Sequence, residues 1–128
     1  MWSLNNKTIV ITGATNGIGR AAAIELAKKN PKLIFTYRSK DLADSLINEI
    51  RETSPNVEIY SMSCDFSNQE SIRKSAAEIN NLSSIIDVLI NNAGVVNTSY
   101  HETDQGIENT FAVNHLGYFL FTNLLLEK

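Results

Sequence analysis

The sequence predicts an α/β fold on a doubly wound parallel sheet, and three observations carry that prediction. Short β-branched runs alternate with helix-length amphipathic stretches along the whole chain. A glycine-punctuated turn, Gly13 to Gly19, stands directly between the first run and the first helix pattern. A second turn of small residues, Asn91-Asn92-Ala93-Gly94, closes the fourth run.

Each element has its own local signal. Thr8-Ile9-Val10-Ile11-Thr12 is a buried-strand run. Ile18 to Lys29 reads as a helix whose last turn carries Lys28 and Lys29, the sign favoured at a helix C-terminus, and Asn30-Pro31 ends it. Leu33 to Tyr37 forms the second strand. Leu42, Leu46, Ile47 and Ile50 then share one helical face, with Ser39 or Asp41 as N-cap. Ser54-Pro55-Asn56 breaks the chain before a strand from Val57 to Met62. Ser67 and Glu70 have capping-box spacing and open a third helix with the stripe Ile72, Ala76 and Ile79. Val88 to Ile90 is the fourth strand, Val95 to Thr103 a polar loop. Thr103 is the expected N-cap of a long helix from about Asp104 to Lys128. Strands joined by crossover helices lie parallel, which gives a Rossmann-type half with strand order 3-2-1-4.

The 128 residues suffice for one domain with a real core, here expected over 1–128. Hydrophobic residues at 43% and charged residues at 20% exclude a disordered chain. A net charge of −3 with scattered basic residues excludes a nucleic-acid backbone as partner. No run has the length of a membrane span, and Met1 to Asn6 has no signal-peptide character, so no membrane partner is expected. Cys64 is the single cysteine; it reads as a small buried hydrophobe at a strand end and points to a reducing, cytoplasmic compartment. His101 and His115 have no third ligand at metal spacing, so no metal is assigned. Leu120, Phe121, Leu124 and Leu125 read as core or subunit-contact residues.

A tight turn before a helix collects unpaired N–H groups and the positive end of the helix dipole, which suits a pyrophosphate. Here that turn is Thr12-Gly13-Ala14-Thr15-Asn16-Gly17-Ile18-Gly19. Gly13 allows a sharp exit from the strand, Gly17 a close approach of backbone to phosphate, and Gly19 close packing of the helix on the sheet. The spacing is G-x-x-x-G-x-G, and Asn92-Ala93-Gly94 lies at the same carboxyl edge, where open α/β sheets bind ligands.

With both motifs in order, the sequence resembles the short-chain dehydrogenases/reductases from Lys7 to Lys128. The segment Phe111-Ala112-Val113-Asn114-His115-Leu116-Gly117-Tyr118-Phe119-Leu120-Phe121-Thr122 is similar to one in their retinol-dehydrogenase-like branch. The resemblance implies hydride exchange between a nicotinamide and an alcohol or carbonyl, with a retinoid, steroid or other lipophilic molecule as substrate. It also implies that Asp65 bonds the adenine amino group, that Phe66 gives a backbone contact there, and that Asn114 holds a water of the proton relay.

The end of the second strand, about 20 residues past the glycines, meets the adenosine ribose. An acidic residue there would repel a 2′-phosphate. The sequence has Tyr37-Arg38-Ser39, a planar guanidinium fork and a hydroxyl suited to phosphate, with Arg20 as a second cation. NADP(H) is therefore expected ahead of NAD(H).

The family's catalytic tyrosine is followed four residues on by a lysine that lowers the phenol's pKa. Tyr37, Tyr60, Tyr100 and Tyr118 are followed at that distance by Asp41, Cys64, Asp104 and Thr122. No fifth strand carries the family's serine. The chain is thus expected to be the cofactor-binding front half of such an enzyme, inactive alone and prone to self-associate through the bare fourth strand or last helix. A non-catalytic dinucleotide-binding module or sensor is the competing reading. A sugar-nucleotide epimerase is disfavoured by the glycine spacing and by Asn-Asn-Ala-Gly.

Overall fold

The computed structural model describes residues 1–127; Lys128, the last residue of the expected final helix, lies outside the described residues. Four parallel strands, β1 (Thr8–Ile11), β2 (Lys32–Tyr37), β3 (Glu58–Ser63) and β4 (Val88–Ile90), form one sheet in the order β3-β2-β1-β4. This is the expected order. Connections run outward from β1 to β3 and then return to place β4 on the other side of β1. That reversal opens a crevice at the carboxyl ends of β1 and β4.

Alternation along the central strands divides the core in two. Ile9, Ile11, Leu33 and Phe35 face α1 (Gly17–Ala27) and α2 (Lys40–Thr53), meeting Ala23, Ala27, Leu46 and Ile50. Val10 and Ile34 face the opposite layer, where Ile72, Ala76 and Ile79 of α3 (Gln69–Leu82) pack with Phe121 and Leu125. Both faces of β1 and β2 are thus covered, which explains why their sequences are apolar without alternation. Leu120 and Leu124 are half-buried against the second layer, as core residues.

The helix starts were read less well than the strands. Ser39 does cap α2, its hydroxyl accepting from Leu42 N at 3.4 Å. The cap of α3 is Asn68, not Ser67: Asn68 Oδ1 accepts from Ser71 N at 3.0 Å. Ser67 is diverted because its N–H and hydroxyl both donate to Asp65 Oδ1, at 2.9 and 2.7 Å.

The long helix expected from Asp104 begins five residues later. Gly106 takes a φ of +75°, a left-handed conformation that cannot continue a helix, and Glu102 pairs with Glu108 across the turn. Thr103 caps this turn, accepting from Gln105 N and Ile107 N, both at 3.3 Å. The helical run is then α4 (Asn109–Phe111), a π-helical turn (Ala112–Leu116) and α5 (Gly117–Leu125), with Ala112 and Gly117 in helical dihedrals. Its cap is the Glu108 carboxylate, which accepts from Thr110 N and Phe111 N at 2.9 and 2.8 Å.

Two carboxylates therefore fasten element starts. Glu108 is held below its ordinary pKa by those backbone donors. Asp87 is held below its own by Lys7 Nζ at 2.9 Å and by Thr8 N at 2.8 Å, a clasp between the entries of β1 and β4. A depressed folded-state pKa contributes stability that is present above the unfolded pKa and lost as pH falls through the folded one. Urea midpoints should accordingly decline below about pH 4. Asp87→Asn should be less stable than the parent at neutral pH and show a flatter acid limb; an unchanged limb would remove Asp87 from this account.

Candidate functional site

The crevice at the strand ends is a cleft of about 540 Å³. Four chain segments meet in it: the glycine turn (Gly13, Thr15, Asn16, Gly17, Ile18, Gly19), the end of β2 (Arg38, Ser39), the end of β3 (Asp65, Phe66) and the turn after β4 (Asn92, Ala93, Gly94). Of the residues singled out in the sequence, only Ala14, Arg20 and Asn114 do not line it. Ala14 is wholly buried beneath the turn. Thr36, Tyr37, Leu42, Cys64, Val95 and Val113 complete the wall. Of these, Tyr37 had a signal in its place beside Arg38 at the end of β2, whereas Leu42 read as part of the apolar face of α2 and is half-exposed at the cleft.

The turn is shaped by what it touches. Gly13 has a φ of +65°, and a Cβ there would stand 2.6 Å from Ala93 Cα. A Cβ on Gly19 would overlap the Gly13 carbonyl and the Asn92 amide, so its close approach is to the neighbouring turns and not to the sheet generally. Gly17 is different, because no atom stands within 4 Å of where its Cβ would be. That open ground at the start of α1 leaves backbone room for a ligand's phosphate, and Asn16 at the cap position makes no side-chain bond to the helix.

Thr12 and Asn92 lace the two turns together. Thr12 Oγ1 accepts from Asn92 N at 2.9 Å and from Ala93 N at 3.0 Å. The Asn92 amide donates back to the carbonyls of Thr12 and Gly13, at 3.1 and 3.0 Å. Thr12 also holds the hydroxyl of Tyr118 at 3.5 Å; burial pushes that phenol's pKa up, and the Thr12 contact only partly opposes it.

Arg38 and Arg20 fare differently. Arg38 is exposed at the cleft and has no hydrogen bond or ion pair among the described residues. Arg20 points between α1 and α2, where its guanidinium donates to Glu49 at 2.6 Å, Ser45 at 3.2 Å and the Thr15 carbonyl at 3.2 Å. The expected second free cation is therefore neutralised by a carboxylate 29 residues away in the chain. Asp65 commits Oδ1 to Ser67, and its Oδ2 has no partner among the described residues.

Asn114 sits in the π turn and grips Val95 at both ends of its amide: Oδ1 accepts from Val95 N at 2.8 Å and Nδ2 donates to Val95 O at 2.7 Å. Its side chain fixes the strand-end loop beside the cleft. Burial pushes the Cys64 thiol up to about 12, so it lines the cleft as an inert wall residue. His101 meets Ser99 at 3.0 Å, and His115 stacks on Phe111 with ring centres 5.2 Å apart.

A strand–turn–helix with free donors, a lone cation at the end of β2 and an Asn-Ala-Gly floor define the class. The chain belongs to the short chain dehydrogenase family, which it matches over residues 7–128. Retinol dehydrogenase 13 of Homo sapiens is 39% identical over 126 residues, covering 98% of this chain and 38% of that protein. Retinol dehydrogenase 12 of Mus musculus is 40% identical over 122 residues, covering 95% and 39%. The chain thus spans about two-fifths of the length of these curated relatives. Among solved structures, a protein from Mycobacterium Paratuberculosis superposes with a TM-score of 0.82 at 35% identity, covering 97% of this chain and 43% of that one. Levodione reductase gives the same score at 25% identity, covering 97% and 49%. The family comprises oxidoreductases that use a nicotinamide dinucleotide on small-molecule alcohols and carbonyls. The expected likeness to the retinol-dehydrogenase branch is borne out.

The lacing predicts a specific weakness. Thr12→Val keeps the shape but strips the acceptor from two part-buried N–H groups, at roughly 1–3 kcal/mol for each donor left unpaired. Denaturant unfolding should show a total loss of roughly 2–6 kcal/mol for the two donors, and a neutral effect would mean that water replaces the hydroxyl.

Proposed function

We propose that this chain forms the NADP(H)-binding part of an oxidoreductase that interconverts an alcohol and a carbonyl. The observation that carries the cofactor preference is Arg38: an exposed, unpaired guanidinium at the cleft, at the end of β2, with no carboxylate at the neighbouring Tyr37 or Ser39. Such a fork matches a phosphate dianion and has nothing to offer a bare ribose that an acidic residue would not do better.

The donors at the start of α1 and the open side of Gly17 would hold the pyrophosphate, with Gly13, Thr15, Asn16, Ile18 and Gly19 shaping the turn. Arg38 and Ser39 would take the 2′-phosphate. Asp65, through its free Oδ2, and Phe66 would receive the adenine, and Asn92, Ala93 and Gly94 would floor the cleft. When bound, the dinucleotide supplies the hydride carrier. Asn114 serves by pinning Val95, and the second Nδ2 proton and the second Oδ1 lone pair of its exposed amide remain for a relay water.

The tyrosine–lysine pair of the family is not in this sequence, so the 128 residues alone should bind without turning over. The names of the relatives support a lipophilic alcohol as the whole protein's substrate. The single buried thiol supports a reducing, cytoplasmic setting. Among the described residues no helix is long and apolar enough to cross a membrane.

Isothermal titration with NADPH and NADH tests the cofactor reading. NADPH should bind more tightly, and Arg38→Ala should weaken it by roughly ten- to a hundredfold while leaving NADH nearly unchanged. Equal affinities in the parent would sink the preference for the phosphorylated cofactor.

β4 lies at the sheet edge with its other side unpaired, and Phe119 and Leu126 are about two-thirds exposed. The chain is accordingly expected to self-associate. Sedimentation at micromolar concentration should show dimers or larger species, and a clean monomer would count against this.

A further inference from the structure

Arg20 is the one arginine near the cleft whose charge is already spent, and where it is spent is informative. Its guanidinium joins three segments. Nη2 meets Glu49 Oε2 at 2.6 Å and Ser45 Oγ at 3.2 Å, both on α2, while Nη1 donates to the carbonyl of Thr15 at 3.2 Å, inside the glycine turn. The Arg20 side chain is 24% exposed and that of Glu49 46%, so the pair is partly shielded and not a freely solvated surface contact.

The Thr15 contact is the consequential one. The peptide between Thr15 and Asn16 is trans, as are all others among the described residues. In a planar trans peptide the C=O and the next N–H point in opposite directions. Holding the Thr15 carbonyl toward the α1–α2 seam therefore turns the Asn16 N–H away from it, in a stretch where both residues line the cleft. That N–H has no partner among the described residues. The turn itself is poorly determined by its own sequence, because Gly13 and Gly17 both sit at positive φ and Asn16 between them is fully extended. Rotating this peptide changes only ψ of Thr15 and φ of Asn16, and asparagine is among the few residues that tolerate a positive φ, so without an outside anchor the rotated arrangement stays accessible.

We propose that Arg20, held by Glu49, is a positioning residue: it fixes the Thr15–Asn16 peptide so that the Asn16 N–H stands ready as an anion donor before any ligand arrives. Arg20 thus takes part in dinucleotide binding without touching the dinucleotide. This rests on the cleft being the dinucleotide site. It also separates the two arginines, with Arg38 selecting between cofactors and Arg20 raising affinity for both by preorganisation.

The test uses the full chain as parent, Arg20→Ala, Arg20→Lys and the double swap Arg20→Glu/Glu49→Arg. Each is followed by backbone amide order parameters from NMR relaxation over residues 15–17, by titration with NADPH and NADH, and by urea unfolding. Arg20→Ala should lower the order parameters of the turn and weaken both dinucleotides by the same factor, roughly three- to tenfold for one lost hydrogen bond, leaving their ratio unchanged. Arg20→Lys, which keeps a donor, should recover part of that loss. The double swap should restore the urea midpoint by re-forming the pair between α1 and α2. It should not restore affinity or the order parameters of the turn, since a carboxylate cannot donate to the Thr15 carbonyl.

A loss confined to NADPH would overturn the proposal by making Arg20 a direct phosphate ligand. Recovery of affinity together with stability in the double swap would overturn it in favour of packing alone. Should the parent bind neither dinucleotide, the functional reading fails, and the order parameters of the turn still decide the brace: unchanged values at residues 15–17 in Arg20→Ala refute it.

Discussion

Thr12 and Asn92 stand 80 residues apart in the chain and at the ends of adjacent strands in space, and their mutual hydrogen bonds hold the rest of the site in place. Parallel pairing of β1 with β4 brings two strand ends side by side, each ending in backbone that has run out of ladder partners. The Thr12 hydroxyl satisfies two N–H groups after β4, and the Asn92 amide satisfies two carbonyls after β1. The contact also forces glycine at positions 13 and 19, since a side chain at either would collide with Ala93 or Asn92. The glycines are there as much to let two turns touch as to let one of them bend.

From this junction the site extends outward by similar devices. The loop after Gly94 is gripped at Val95 by both ends of the Asn114 amide, and Asn114 stands in a π turn that interrupts an otherwise regular helical run. A π turn sacrifices regular hydrogen bonding and persists where tertiary contacts hold it, a pattern common at functional sites. On the other flank, Arg20 ties the glycine turn to α2, whose N-terminus is capped by Ser39, the neighbour of Arg38. The walls of the cleft are thus joined to one another by side-chain to backbone bonds, which suits a site whose donors are largely main-chain groups.

Much of this was legible from residues alone, and particular cases show why. The strands are short β-branched runs punctuated by turn residues, and all four were placed to within a residue at each end. The strand order followed from the parallel crossovers. The glycine turn and Asn92-Ala93-Gly94 could be assigned to one edge because strand ends in a parallel sheet point the same way. Arg38 could be placed at the cleft because it ends β2. Local signals failed where one polar residue had two possible partners. Ser67 matched a capping box but was taken by Asp65, and Thr103 matched a helix cap but closed the turn at Gly106.

The sequence by itself determined the fold class, the strand order, the location of the cleft and most of its lining, because periodicity, glycine placement and strand ends are properties of neighbouring residues. Only the tertiary structure decided how the polar side chains are spent. Arg20 turned to Glu49, Asn114 closed on Val95, and Thr12 met Asn92 across separations of 29, 19 and 80 residues. A polar side chain bonds whatever partner the fold brings within about 3 Å. That partner is chosen by the packing of the sheet and its helices, which no local pattern encodes.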